Sequence, residues 1–241
     1  LYDIVDNPDF WVEVFQNPSQ VWTPEELIII FNQESLFPKG TDWNYSSVPG
    51  YGLLRTIIED ITGSDITTVY NDLFFDAFEL NNTFATKGEP LPANIAHSWY
   101  DLNGDGVYDD FYSWPRTAIA SGACGEVFST AEDLAKWARV LYHDRSVLSE
   151  QFMDQMLTFH SPCTGEEFMI EGYGLGVEKF SLEFVNGINV IGHGGDAAGY
   201  AAACMYLTDY DVCIGFMDNT TEGNAMGTIF DLFDIIIEHL E

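Results

Sequence analysis

A histidine followed by two glycines, His193-Gly194-Gly195, ends the apolar run Val190-Ile191, and a second apolar run spans Tyr200 to Leu207. A polar side chain beside two residues without Cβ lets another molecule lie directly against the backbone. The same residues also make an ordinary turn. A second candidate is the loop Asp101 to Asp110. Asp101, Asn103, Asp105 and Asp109 place oxygen side chains at positions 1, 3, 5 and 9, with Gly106 at position 6 and the Val107 carbonyl at position 7. That is the spacing of a calcium loop. Position 12 is Tyr112, so the bidentate acid is absent and Asp110 is the substitute at hand. The competing reading is a solvated acidic turn. No serine lies in a Gly-x-Ser-x-Gly elbow. His97, His143, His160 and His239 read as structural or surface residues.

The elements around these residues divide into a helix-rich part and a strand-rich part. Thr23-Pro24-Glu25-Glu26 has a capping residue, proline at the first helical position and acids against the helix dipole. It predicts a helix running through Phe31. Apolar residues at helical spacing predict further helices over Gly50–Thr62, Asp65–Phe78, Thr130–His143 and Met226–Leu240. After residue 170 the pattern turns to strands, expected at Tyr173–Glu178, Gly187–Ile191, Tyr200–Leu207 and Val212–Met217 as an antiparallel meander. The segregation implies an α+β fold, not alternating βαβ units. Residues 1–170 are read as a helical region and 171–241 as an antiparallel sheet plus C-terminal helix.

With 39 acidic against 8 basic residues and a formal net charge of -31, nothing can replace counterions along a phosphate backbone, so nucleic acid is excluded as a partner. The 46% hydrophobic and 15% aromatic content excludes disorder. No apolar run reaches the roughly 20 residues of a membrane span. An acidic surface suits high ionic strength, and an extracellular or periplasmic setting is expected over a cytoplasmic one. The cysteines at 124, 163, 204 and 213 form no zinc pattern. A turn at Thr208–Asp211 sets Tyr206 opposite Cys213, which leaves Cys204 diagonal to it and favours two buried thiols. A Cys124–Cys163 bridge stays open.

Trp43-Asn44-Tyr45-Ser46-Ser47 ahead of the Gly50–Gly63 segment, Ser121-Gly122-Ala123-Cys124-Gly125 ahead of Ser129-Thr130-Ala131-Glu132, and then His193-Gly194-Gly195 occur in an order that resembles the serine beta-lactamase/DD-peptidase-like hydrolases. This family includes class C beta-lactamases, D-alanyl-D-alanine carboxypeptidases and related esterases. The resemblance covers nearly the whole chain. It implies a beta-lactamase/transpeptidase-like fold, an antiparallel sheet with a C-terminal helix beside a helical region. It also implies acyl-enzyme hydrolysis of a small-molecule or peptide substrate, namely a beta-lactam, a D-amino-acid peptide or a small ester. Tyr45 matches the tyrosine of the family's Tyr-x-Asn motif, with Ser47 in place of the asparagine. His193 stands at the lysine of its Lys-Thr-Gly motif. Gly194 lacks the threonine hydroxyl, Gly195 lets the substrate carbonyl approach, and the Asp196 N–H is expected to form half of an oxyanion hole. Tyr45 and His193 are the expected catalytic pair, and Ser47, Gly194, Gly195 and Asp196 the expected substrate contacts. The Ser-x-x-Lys nucleophile is absent, since Leu36, Phe84, Asp133 and Gly176 precede the four lysines by three. The chain is therefore expected to be the C-terminal part of a catalytic domain, inactive alone and completed by a missing N-terminal segment or by self-association. No organic cofactor is expected, and calcium is the expected structural ion. The alternative is an inactive binding or structural module of the same fold, stabilised by calcium.

Overall fold

Four helix starts follow local capping rules in the computed structural model, which describes residues 3–17, 20, 22–30, 36–87, 91–101, 104–112, 125, 127–161, 169–181, 183, 185, 187–197, 199–220 and 225–240. Asn7 caps α1 (Pro8–Gln16) by accepting from the Asp9 amide. Before α2 (Pro24–Ile30), the Thr23 hydroxyl accepts from the Glu26 amide while the Glu26 carboxylate accepts from the Thr23 amide. This reciprocal box satisfies two otherwise unpaired donors. Gly63 ends α3 (Gly52–Thr62) in the left-handed region, at φ 65°. Asp65 caps α4 (Ile66–Tyr70), and Thr130 caps α5 (Ala131–Ala138).

The long helices expected over Asp65–Phe78 and Thr130–His143 are each interrupted. Asn71–Phe75 and Arg139–His143 form wider turns, closed by i→i+5 hydrogen bonds from Asp76 to Asn71 O and from Asp144 to Arg139 O. An extra residue per turn rotates the apolar face without breaking its spacing, so periodicity alone does not reveal it. Helix α6 (Glu150–Met156) was not expected from the apolar pattern. Phe31 and the pair Cys124 and Cys163 lie outside the described residues.

The chain forms two compact units that interleave along the sequence. Leu1–Glu79, Thr83–Ile95 and Ser113–Phe128 make one; Leu80–Asn82, Ala96–Tyr112 and Ser129–Glu241 make the other. The first centres on Ile4, Phe10, Val14, Trp22, Leu27 and Val48, and carries the short pair β1 (Phe84–Ala85) and β4 (Val127–Phe128). The second holds the short pair β2 (Trp99–Tyr100) and β3 (Asp109–Asp110). It also holds a five-stranded antiparallel sheet in the order β5 (Ile170–Tyr173), β6 (Glu178–Phe180), β7 (Val190–Ala197), β8 (Tyr200–Leu207), β9 (Val212–Asp218).

The meander is as expected, but its first strands are placed differently. Gly174-Leu175-Gly176 is a turn inside the expected Tyr173–Glu178 strand, with Gly176 at φ 73° and the Gly174 amide donating to Val177 O. Strand β7 starts three residues later than expected and runs on through His193-Gly194-Gly195. The β8–β9 register pairs Leu207 with Val212 and Tyr206 with Cys213, as the turn required, and sets Cys204 opposite Gly215. Cys204 and Cys213 are free thiols. Burial pushes them up to about 12 and about 11, which keeps both protonated.

Two apolar layers cover the sheet. On one face Val190, Ala203, Met205 and Leu207 pack with Ile229 and Phe233 of α7 (Ala225–Leu240). On the other, Ile191, Cys204 and Tyr206 pack against Ala138, Leu141, Tyr142 and Met153. Helix α5 touches β9 at Gly215, where a Cβ would stand 2.1 Å from Ala131 O. Only glycine tolerates that approach.

Candidate active site

Strand β7 presents opposite chemistry on its two faces because side chains alternate along it. Gly194 and Asp196 pair with Ala203 and Ala201, on the face toward α7; His193 pairs with Cys204, on the face toward α5. Among the described residues, strand β6 pairs with β7 only at Ile191 and Gly192, and no strand lies beside the edge of β7 from Gly194 onward. There the Gly194 amide donates to Glu178 Oε2 at 3.4 Å. By the period of two, the Asp196 N–H points out of the same open edge. Among the described residues, nothing stands within 4 Å of where a Gly195 Cβ would be. The segment is thus a backbone edge open to a ligand rather than a tight turn.

His193 is held on both ring nitrogens. Nδ1 lies 2.6 Å from Gly194 O, and Nε2 lies 3.0 Å from Tyr173 Oη. The Tyr173 ring meets the imidazole edge-on, with centroids 5.8 Å apart. Glu178 Oε1 is 3.8 Å from Nε2. Tyr173 and Glu178 were not among the residues expected at the site. Their signal was the β5–β6 turn, which reads as continuous strand until Gly174 and Gly176 are recognised as its hinge.

A cavity of about 270 Å³ is lined by Gly194, Gly195, Asp196, Glu178, Phe180 and Ile229, among others. It opens on the α7 face, and His193 does not line it.

Tyr45 and Ser47 lie in the other compact unit, on the loop before α3, where Tyr45 is half-buried. Buried Asp3 organises this loop. Its Oδ2 accepts from the Ser47 amide and, at 2.8 Å, from the Ser47 hydroxyl; its Oδ1 accepts from the Val48 amide at 3.2 Å. Ser47 therefore spends its hydroxyl hydrogen inside the protein and keeps only lone pairs for a ligand. The Tyr45 ring packs against Tyr51 with centroids 6.2 Å apart.

The Asp101 loop has the expected turn, with Gly104 at φ 72° and Gly106 at φ 83°. Its carboxylates do not gather. Asp101 accepts from the amides of Gly104, Asp105 and Gly106, Asp105 accepts from Val107, and Asp109 belongs to β3. Among the described residues no three His, Cys, Asp or Glu side chains could hold a metal ion together, and Asn103 lies outside them. The calcium expectation thus finds no support among the described residues, where Asp101 accepts from three amides of its own loop.

Comparison with known proteins places this arrangement. Residues 8–230 match the family model described as Beta-lactamase. A D-stereospecific amidohydrolase from Streptomyces sp. is 24% identical, with 90% of this chain and 64% of that chain covered at a TM-score of 0.77. A D-amino acid amidase from Ochrobactrum anthropi SV3 is 18% identical, with 92% and 66% covered at 0.78. The octameric penicillin-binding protein homologue from Pyrococcus abyssi is 20% identical, with 95% and 52% covered at 0.77. The chain thus spans about two thirds or less of these structures, and at such identities they show a shared fold. With the family model matched over 223 residues (230 − 8 + 1), this chain belongs to the beta-lactamase family and has the beta-lactamase/transpeptidase-like fold.

Proposed function

We propose that the chain supplies the His193 strand and the Tyr45 loop of a serine hydrolase that cleaves amide or ester bonds through an acyl-enzyme. The open edge of β7 at Gly194–Asp196 carries this reading: a substrate carbonyl can lie against it with the Asp196 N–H as one oxyanion donor. The nucleophile comes from a Ser-x-x-Lys segment outside the 241 residues, since none occurs within them. In this reading a further segment, or a second copy, also covers the outer edge of β9, which pairs only with β8 among the described strands.

D-amino-acid amides and esters come before beta-lactams as substrates. Gly194 offers no hydroxyl to a substrate carboxylate, and the acids Glu178 and Asp196 stand beside the edge with no lysine or arginine in the cavity lining. The names of the two amidohydrolase neighbours point the same way.

A fluorophosphonate probe is the test. The full-length protein should be labelled at a serine outside these residues, and the 241-residue chain alone should not be labelled. In the full-length enzyme, Tyr45→Phe should lower turnover of a chromogenic D-amino-acid ester by about 10²–10⁴-fold, as expected of a general acid–base group. Labelling of a serine within residues 1–241, or an unchanged rate in the variant, would overturn the reading.

A further inference from the structure

We propose that Tyr173 is a positioning residue that fixes the tautomer of His193. The Gly194 carbonyl can only accept a hydrogen bond, so the Nδ1 facing it at 2.6 Å carries the ring proton. A neutral imidazole then has its lone pair on Nε2, and the Tyr173 hydroxyl, 3.0 Å away, donates to it. Which nitrogen of a histidine is protonated follows from the bonds its two nitrogens make. Here both bonds select the same form.

Tyr173 is rigidly placed for this. Its amide donates to His160 O at 3.0 Å, and its carbonyl accepts from the His160 amide at 2.9 Å. It pairs with Glu178 across the β5–β6 hairpin, and its side chain is buried. When His193 takes up a proton at Nε2, that nitrogen becomes a donor, the phenol turns to accept, and Glu178 Oε1 at 3.8 Å faces the new charge. Tyr173 thus keeps Nε2 as the basic ring atom of His193.

The catalytic consequence rests on the serine-hydrolase reading; the tautomer does not, and the experiment separates the two. Nitrogen-15 spectra of the histidine rings in the full-length protein, assigned with His193→Gln, should find neutral His193 protonated on Nδ1. In Tyr173→Phe, with an unchanged melting temperature, a detectable part of the population should move its proton to Nε2 once the hydroxyl donor is gone, while the Gly194 carbonyl still holds the Nδ1 proton in the rest. The same variant should lower kcat on a chromogenic ester by about tenfold with KM within about twofold, as for a group acting through its neighbour. A wild-type ring protonated on Nε2 refutes the proposal without any variant, and so does a spectrum indifferent to Tyr173→Phe. A wild-type enzyme that hydrolyses no ester refutes the hydrolase reading and leaves the spectra to decide the role of Tyr173.

Discussion

The loop bearing Tyr45 and the strand bearing His193 are held in place by different forces. Around Tyr45 the organiser is a buried carboxylate: Asp3 gathers the amides of Ser47 and Val48 and the Ser47 hydroxyl. Around His193 the organiser is apolar packing, with Val190 and its neighbours on one face and Ile191 and Cys204 on the other. A hydrogen-bonded loop fails when one partner is removed, because buried amides are left without acceptors. A packed strand fails when volume is removed, because the surroundings cannot collapse fully. The two regions should therefore break under different substitutions.

The largest effect should come from Phe233→Ala, which empties a fully buried position under the sheet. It should cost about 3–5 kcal/mol in a denaturant titration. Asp3→Ala should cost less, about 1–3 kcal/mol, for the amides it leaves unsatisfied. Its signature is local: hydrogen exchange should quicken at Ser47 and Val48 while the β7–β8 amides keep their protection. Equal loss of protection in both regions would show that the contrast is not real.

The smallest effect concerns His143, whose Nδ1 lies 2.5 Å from Asp144 and whose Nε2 lies 3.1 Å from Asp211. Hydrogen bonds to Asp144 and then to Asp211 raise its pKa, partly opposed by Arg139. A raised histidine contributes stability that is fully present below its unfolded value and disappears as pH rises through its folded value. Asp211 is lowered, by the Tyr206 hydroxyl first and His143 next, so its contribution is lost instead as acid protonates it. His143→Gln should lower the melting temperature more at pH 6 than at pH 9. A pH-independent penalty would mean that the ring acts by packing alone.

The β8–β9 hairpin was legible to the residue: four turn residues between two apolar runs leave one register that keeps Leu207 buried. The same holds for the capped starts at Thr23, Asp65 and Thr130. The wider turns at Asn71–Phe75 and Arg139–His143 were not legible, because they preserve apolar spacing while changing the hydrogen bonds. His193-Gly194-Gly195 announced itself by composition. Its partners did not: Tyr173 reaches His193 only through the β5–β6 turn, and Asp3 reaches Ser47 across 44 positions. The Asp101 loop could not be decided from its spacing, because ligand spacing does not say which way a carboxylate faces. Asp101 faces its own amides.

His193, Cys204 and Gly215 are successive cross-strand partners, so they form one row across three strands. Helix α5 sits on the far end of that row, against Gly215, and the Cys204 thiol in the middle donates to Leu134 O of the same helix at 3.6 Å. The row is a short mechanical strut. With no side chain at Gly215 to act as a cushion, α5 rests directly on the β9 backbone, so a displacement of α5 would bear first on β9 and, through the register, on β8 and β7. A substitution on the back of α5 would then be felt at the His193 strand, although no residue of that helix lines the cavity beside it.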